Sequence, residues 1–147
     1  MTPDSIATSE LNYTFTVTAG DFSKAGSIST KIKRILQQIG AKPDALRRAS
    51  IATYEAEMNI VIHADSGEIA LIASPTEIII RCKDKGPGIP DIELAMKPGY
   101  STASQEAREM GFGAGMGLPN IHRLADRMDI ESTVGKGTTL AMVFKND

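Results

Sequence analysis

Asp84-Lys85-Gly86-Pro87-Gly88-Ile89 follows the apolar run Ile78-Ile79-Ile80, and its reading decides the fold. An apolar strand closes on an acidic side chain, and the backbone then turns on two glycines. Gly86 and Gly88 permit a geometry that a side chain would obstruct, while Pro87 and Pro90 stiffen the turn. Such a loop suits close contact with a flat ligand, and Asp84 is placed to accept a hydrogen bond from an exocyclic amine. Glycine turns after strands are common, so the remainder of the chain must carry the case.

Upstream, Glu68–Ala73 and Glu77–Cys82 read as two short strands broken by Ser74-Pro75, a hairpin pattern. Before them, Lys42-Pro43-Asp44 opens a helix that reaches His63 or Ala64. Its apolar positions include Leu46, Ile51, Met58 and Ile62, and Ala45, Ala49, Ala52 and Ala56 allow close packing. Glu55, Asn59 and His63 recur every four residues, so they stack on one side of that helix. Glu57 is turned away from Glu55 by about 200°. Further upstream, Ile28, Ile32, Ile35, Leu36 and Ile39 share one face of a helix over 23–39, whose remainder is basic through Lys24, Lys31, Lys33 and Arg34. That basic face reads either as a solvated surface or as a docking surface for an acidic partner. Gly40 is the stop signal. Leu11, Tyr13, Phe15 and Val17 alternate with polar residues as a half-buried strand, and residues 1–10 read as a flexible start.

Downstream, 91–96 suits a short helix. Residues 97–117 form the least regular stretch, which includes Lys97, Ser101 and Thr102 and holds Gly99, Gly111, Gly113, Gly115 and Gly117. Long loops in compact domains are often lids. Leu118 to Arg127 reads as a helix, Met128, Ile130 and Ser132 as a strand, Gly135-Lys136-Gly137 as a turn, and Thr138–Phe144 as a final strand. One α/β (α+β) domain over 11–147 follows: a two-layer sandwich with a mixed, mostly antiparallel sheet and helices on one face.

The 147 residues are enough for a hydrophobic core without a metal or disulfide staple. With 41% hydrophobic and 23% charged residues, the composition is that of an ordinary soluble protein. A net charge of −2 provides no global attraction for nucleic acid or an anionic membrane. No long apolar span or leader pattern is present, so a cytoplasmic protein is expected. Cys82, the single cysteine, reads as a buried strand thiol. Two distant histidines and one cysteine make no transition-metal set, and no Ser-His-Asp order is persuasive.

Glycines ahead of a helix start form a phosphate cradle, because free amides and the helix dipole favour an anion there. The stretch Gly111-Phe112-Gly113-Ala114-Gly115-Met116-Gly117 has that form. It lacks the Gly-Lys-Ser/Thr ending of a P-loop, and it does not follow the opening strand of a dinucleotide-binding unit.

With these residues together, the sequence resembles the ATPase superfamily of DNA gyrase, histidine kinases and MutL, which has the Bergerat ATP-binding fold. Glu55-Ala56-Glu57-Met58-Asn59 resembles its first box, Asp84 to Ile89 its adenine box, Gly111 to Gly117 its lid and phosphate box, and Gly135-Lys136-Gly137-Thr138-Thr139 its last. Within the superfamily the likeness is to bacterial anti-sigma-factor serine kinases and stress-pathway switch kinases. Gly86 to Asp91 and Gly99 to Thr102 look especially like the switch-kinase branch.

The resemblance implies ATP and Mg²⁺ as cofactors, with Asn59 as metal ligand and Glu55 as general base. It implies that Asp84 binds the adenine amine, with Gly86, Gly88 and Ile89 beside the base and Thr139 supporting the pocket. Gly111, Gly113, Gly115, Met116, Gly117 and Leu118 would surround the phosphates, with Ser101, Thr102 and His63 near them. The implied partner is a small regulatory protein with a phosphorylatable serine or threonine, such as an anti-sigma antagonist or scaffold domain. A sigma factor, a downstream phosphatase and a second copy of the chain are further implied partners; nucleic acid and membrane are not. The rival readings are a nucleotide-gated binding protein with little catalysis and a detached histidine-kinase catalytic domain.

Overall fold

The structure is a computed structural model that describes residues 10–97 and 117–147. The described strands are β1 (Leu11–Val17), β2 (Ser66–Ala73), β3 (Glu77–Lys85), β4 (Arg127–Thr133) and β5 (Gly137–Lys145). The described helices are α1 (Ser27–Gln38), α2 (Pro43–His63), α3 (Ile92–Ala95) and α4 (Gly117–Leu124), with a 3-10 turn at Phe22–Lys24. The strands make one five-stranded sheet in the order β1-β2-β3-β5-β4, antiparallel at every pairing. Helices cover one face, so the two-layer sandwich expected from the sequence is what forms. Strand alternation sends Ile69, Leu71, Ala73, Ile78, Ile80, Cys82, Leu140, Met142 and Phe144 into the helical layer, all buried. Truncating one of these large side chains to alanine costs about 2–5 kcal/mol.

The long helix α2 crosses this face on Ala45, Ala49, Ala52 and Ala56, all buried, and these small side chains bring its backbone close to the sheet. Pro43 fits the first turn, where no amide partner is needed, and Asp44 there complements the helix dipole. α1 packs beside it through Ile28, Ile32 and Leu36. α1 ends in a paired cap: Gly40 N donates to Gln37 O at 3.2 Å and Ala41 N to Leu36 O at 3.0 Å.

Three boundaries differ from the sequence reading. The helix expected over 23–39 is broken: Phe22–Lys24 makes a 3-10 turn, and Gly26, at φ 91°, separates it from α1. The helix expected to reach Arg127 stops at Leu124, and Arg127 begins β4. There the Arg48 guanidinium takes the Leu124 carbonyl at 2.8 Å and Asp126 at 3.1 Å, closing the helix end from outside. β3 runs on to Lys85, so Asp84 is still part of the ladder, opposite Gly67. That register directs Asp84 to the helix face, in step with Ile80 and Cys82.

Candidate functional site

Asp84, half-buried, is the fixed point. Its Oδ1 accepts the Thr138 amide at 3.2 Å. Burial lifts its carboxyl above the usual aspartate range, and the Thr138 bond works against that rise. Among the described residues Oδ2 makes no hydrogen bond, so the carboxylate retains acceptor capacity for an N–H donor.

Two glycines bring the backbones around Asp84 into contact. A Cβ on Gly137, at φ 146°, would lie 2.1 Å from the Asp84 carbonyl oxygen. One on Gly88, at φ 77°, would lie 2.5 Å from the Thr133 carbonyl oxygen. No L side chain fits either place. The loop after β3 is therefore seated directly on the β4–β5 hairpin. Gly135 N donates to Pro87 O at 2.8 Å, and Ile89 N donates to Ser132 Oγ at 2.7 Å. Ser132 Oγ also pairs with Thr138 Oγ1 at 2.8 Å and bonds the Gly137 carbonyl at 3.2 Å. On the other side, a Cβ on Gly86 would meet Ala64 Cα at 3.0 Å, so the loop also abuts the end of α2.

The polar row of α2 forms as the four-residue spacing requires. Glu55, Asn59 and His63 are each half-buried. Burial raises the Glu55 carboxyl above its usual range, and the Asn120 side chain of α4 works against that rise. Burial lowers the His63 pKa, favouring neutral imidazole. The start of α4 lies against Asn59, where a Cβ on Gly117 would be 3.1 Å from Asn59 Oδ1. A helix N-terminus, an amide oxygen and a carboxylate thus share one side of α2. Among the described residues, no cluster of three His, Cys, Asp or Glu is arranged to hold a metal. Asn59 Oδ1 is a hard oxygen of the kind that suits Mg²⁺.

Leu118 is half-buried and packs against the core. Ser101, Thr102, Gly111, Gly113, Gly115 and Met116 lie outside the described residues. Thr139 is opposite Lys83 and Glu131, one residue out of phase with buried Leu140, and so on the helix-free face of the sheet. Thr138 and Ser132, to which the sequence reading gave no site role, are on Asp84's face. The period-two alternation with Leu140 and Ile130 was the signal for both. Asn120 was also missed, since it is adjacent to Glu55 only through helix packing. Cys82 is buried as expected, its thiol pushed up to about 12 by burial, with the charges of Asp84 and Glu57 adding to it.

Glu57 holds a role that spacing did not reveal. It is 1% exposed, yet its carboxylate takes three backbone amides at the start of α1. Oε2 accepts Gly26 N at 3.1 Å and Ile28 N at 3.2 Å, and Oε1 accepts Ser29 N at 2.9 Å. A carboxylate from one helix caps another, satisfying amides that have no partner within α1.

An antiparallel sheet under one helical layer, with this acidic loop and polar helix row, is the architecture of a Bergerat-fold ATPase domain. The chain belongs to the histidine kinase-like ATPase domain family, which matches residues 20–144. Within it, the chain is related to the anti-sigma factor kinases. It is 33% identical over 118 residues to an anti-sigma F factor of Thermoanaerobacter sp. (strain X514), covering 77% of this chain and 79% of that protein. It is 30% identical over 115 residues to the serine/threonine-protein kinase RsbT of Bacillus subtilis (strain 168), covering 76% and 80%. The fold matches the SiaB-SiaC complex structure from Pseudomonas aeruginosa with a TM-score of 0.61 at 14% identity, over 96% of this chain and 93% of that one. It also matches the RsbU and RsbW domains of Rv1364c from Mycobacterium tuberculosis, with a TM-score of 0.60 at 15% identity, over 90% of this chain and 32% of that one. No described helix is long and apolar enough to cross a membrane.

Proposed function

We propose that this protein is an ATP-dependent serine/threonine kinase acting on a regulatory partner protein in a sigma-factor or stress-signalling switch. The observation that carries the reading is the desolvated Glu55 carboxylate on the same side of α2 as Asn59, with α4 starting against Asn59. Asp84 would accept the adenine amine through its remaining acceptor capacity, and Asn59 would give its amide oxygen to Mg²⁺. That ion would neutralise charge on the phosphates. Glu55, with its basicity raised by burial, takes the proton of the acceptor hydroxyl. The hydroxyl oxygen bonds to the γ-phosphorus as the bond from that phosphorus to the β-bridging oxygen breaks, and ADP leaves. The relatives named as a serine/threonine kinase and as anti-sigma F factors support a protein partner for this chemistry.

Incubation with labelled MgATP and small serine- or threonine-bearing regulatory proteins tests the reading, with Glu55→Ala alongside. Acid-stable label on one partner, absent with the variant while ATP still binds, is the expected result. If ATP binds and no partner is labelled, the nucleotide-gated binding reading replaces it. That second reading draws its support from the relatives named anti-sigma factors, and complex formation with sigma factors would then be the next measurement.

A further inference from the structure

On the opposite side of α2 from Glu55, α1 and β1 enclose a cleft of about 250 Å³ that the phosphotransfer reading does not use. Lys24, Ser27 and Lys31 line its helical side, and Thr16 and Thr18 its strand side, with Val61 among the apolar groups. Ser27, Lys31 and Arg34 follow one another at helical spacing, so Arg34 continues the row along α1. α1 itself contains no acidic residue. The one carboxylate lining the cleft is Glu57, already engaged by three backbone amides. Asp21 is engaged by Ser23 and also by the charge of Lys24. Among the described residues, no carboxylate lies within ion-pair distance of Lys24, Lys31 or Arg34. Among the described residues, Lys31 and Arg34 are thus left without an acidic partner on a chain of net charge −2.

The strand beside this row is equally open. β1 is the outermost strand and pairs only with β2, leaving one backbone edge without a ladder among the described residues. The opposite edge strand, β4, carries Arg127, Asp129 and Glu131, the kind of charged edge that discourages pairing. β1 reads Leu-Asn-Tyr-Thr-Phe-Thr-Val and has no charge at all.

We propose that the free edge of β1 and the cleft beside it form a docking site for an extended acidic segment of a partner protein. The segment adds to the sheet as a further strand, its backbone completing the β1 ladder. Its carboxylates, on alternate residues, face Lys24, Lys31 and Arg34, and the residues between them point to the helix-free face. A second copy of this chain is the poorer occupant, because it would bring an identical basic row toward this one.

A fluorescein-labelled peptide alternating glutamate and valine over about six residues serves as the probe, read by anisotropy at low ionic strength. Saturable binding that weakens with added salt is expected. It should fall by about tenfold or more in Lys24→Glu/Lys31→Glu, and a peptide with lysine in place of glutamate should not bind. In amide NMR, the glutamate peptide should perturb and protect β1. Both substituted lysines are exposed, so the variant should keep its melting temperature and its MgATP affinity, which separates this site from the nucleotide reading. Absence of saturable binding, equal binding by the variant, or perturbation confined to other strands would overturn the proposal. A stable dimer paired through β1 that the peptide fails to open would overturn it as well.

Discussion

Glu55 and Glu57 are two residues apart on one helix and sit in opposite surroundings. Glu55 is half-buried with its carboxyl raised by desolvation, beside Asn59 and the start of α4. Glu57 is buried and takes three amides of α1. Burial alone does not make a carboxylate reactive; what matters is whether its lone pairs are already used. Glu57 has spent them on the fold, so it holds the helical layer together. Glu55 faces Asn120 of α4, and under the proposed reading its lone pairs serve an incoming proton.

The largest expected effect tests that division directly. Glu55→Gln should lower partner phosphorylation by about 10²–10⁴-fold, with nucleotide affinity nearly unchanged in a binding titration. Comparable loss of nucleotide affinity would instead make Glu55 part of the binding surface. Glu57→Ala should leave three amides of α1 without their acceptor and cost about 3 kcal/mol of stability in denaturant unfolding. A loss under about 0.5 kcal/mol would mean that α1 is held by its apolar face alone.

The sign of the stability change sharpens the contrast. A folded-state carboxyl raised by burial binds protons more readily than it does in the unfolded chain. Its ionisation therefore costs stability as pH rises from the ordinary value through the raised one. Removing that charge at neutral pH should raise the apo melting temperature slightly in Glu55→Gln, whereas Glu57→Gln should lower it. Asp84 behaves as Glu55 does: Asp84→Asn keeps an acceptor for Thr138 N and should not lower apo stability. It should nevertheless weaken ATP binding by about tenfold or more, read by calorimetry, and unchanged affinity would remove Asp84 from the adenine role.

The smallest effect belongs to His63. Its lowered pKa means the folded form resists protonation, so its contribution to stability is present above the ordinary value of 6.5 and is lost as pH falls below it. His63→Gln should flatten the melting temperature between pH 7 and the lowered pKa by a small amount. An unchanged pH profile would show that His63 titrates alike in both states.

Much of this molecule was legible in one dimension. The four-residue spacing of Glu55, Asn59 and His63 is a property of any α-helix, so their shared face required no tertiary knowledge. The alternation Ile78, Ile80, Cys82, Asp84 likewise assigns Asp84 to the core face once a strand is granted. At the last box the period of two places Thr138 beside Asp84 and Thr139 on the opposite face of the sheet.

Glu57 and Asn120 lay beyond such local rules. Angular position on α2 says only that Glu57 faces away from Glu55; it does not say that the amides of α1 begin there. The contacts of Gly26, Ile28 and Ser29 with Glu57 span 28 to 31 residues of sequence separation, and those of Asp84 with Thr138 span 54. Periodicity reports which way a side chain leaves its own element, because backbone geometry repeats locally. What it meets depends on how the elements stack, and that is set by the packing of the whole core. Residue chemistry and facing were thus present in the chain from the start. Which carboxylate would be tied up by backbone amides and which left beside Asn59 was decided only when α1 and α4 closed on either side of α2.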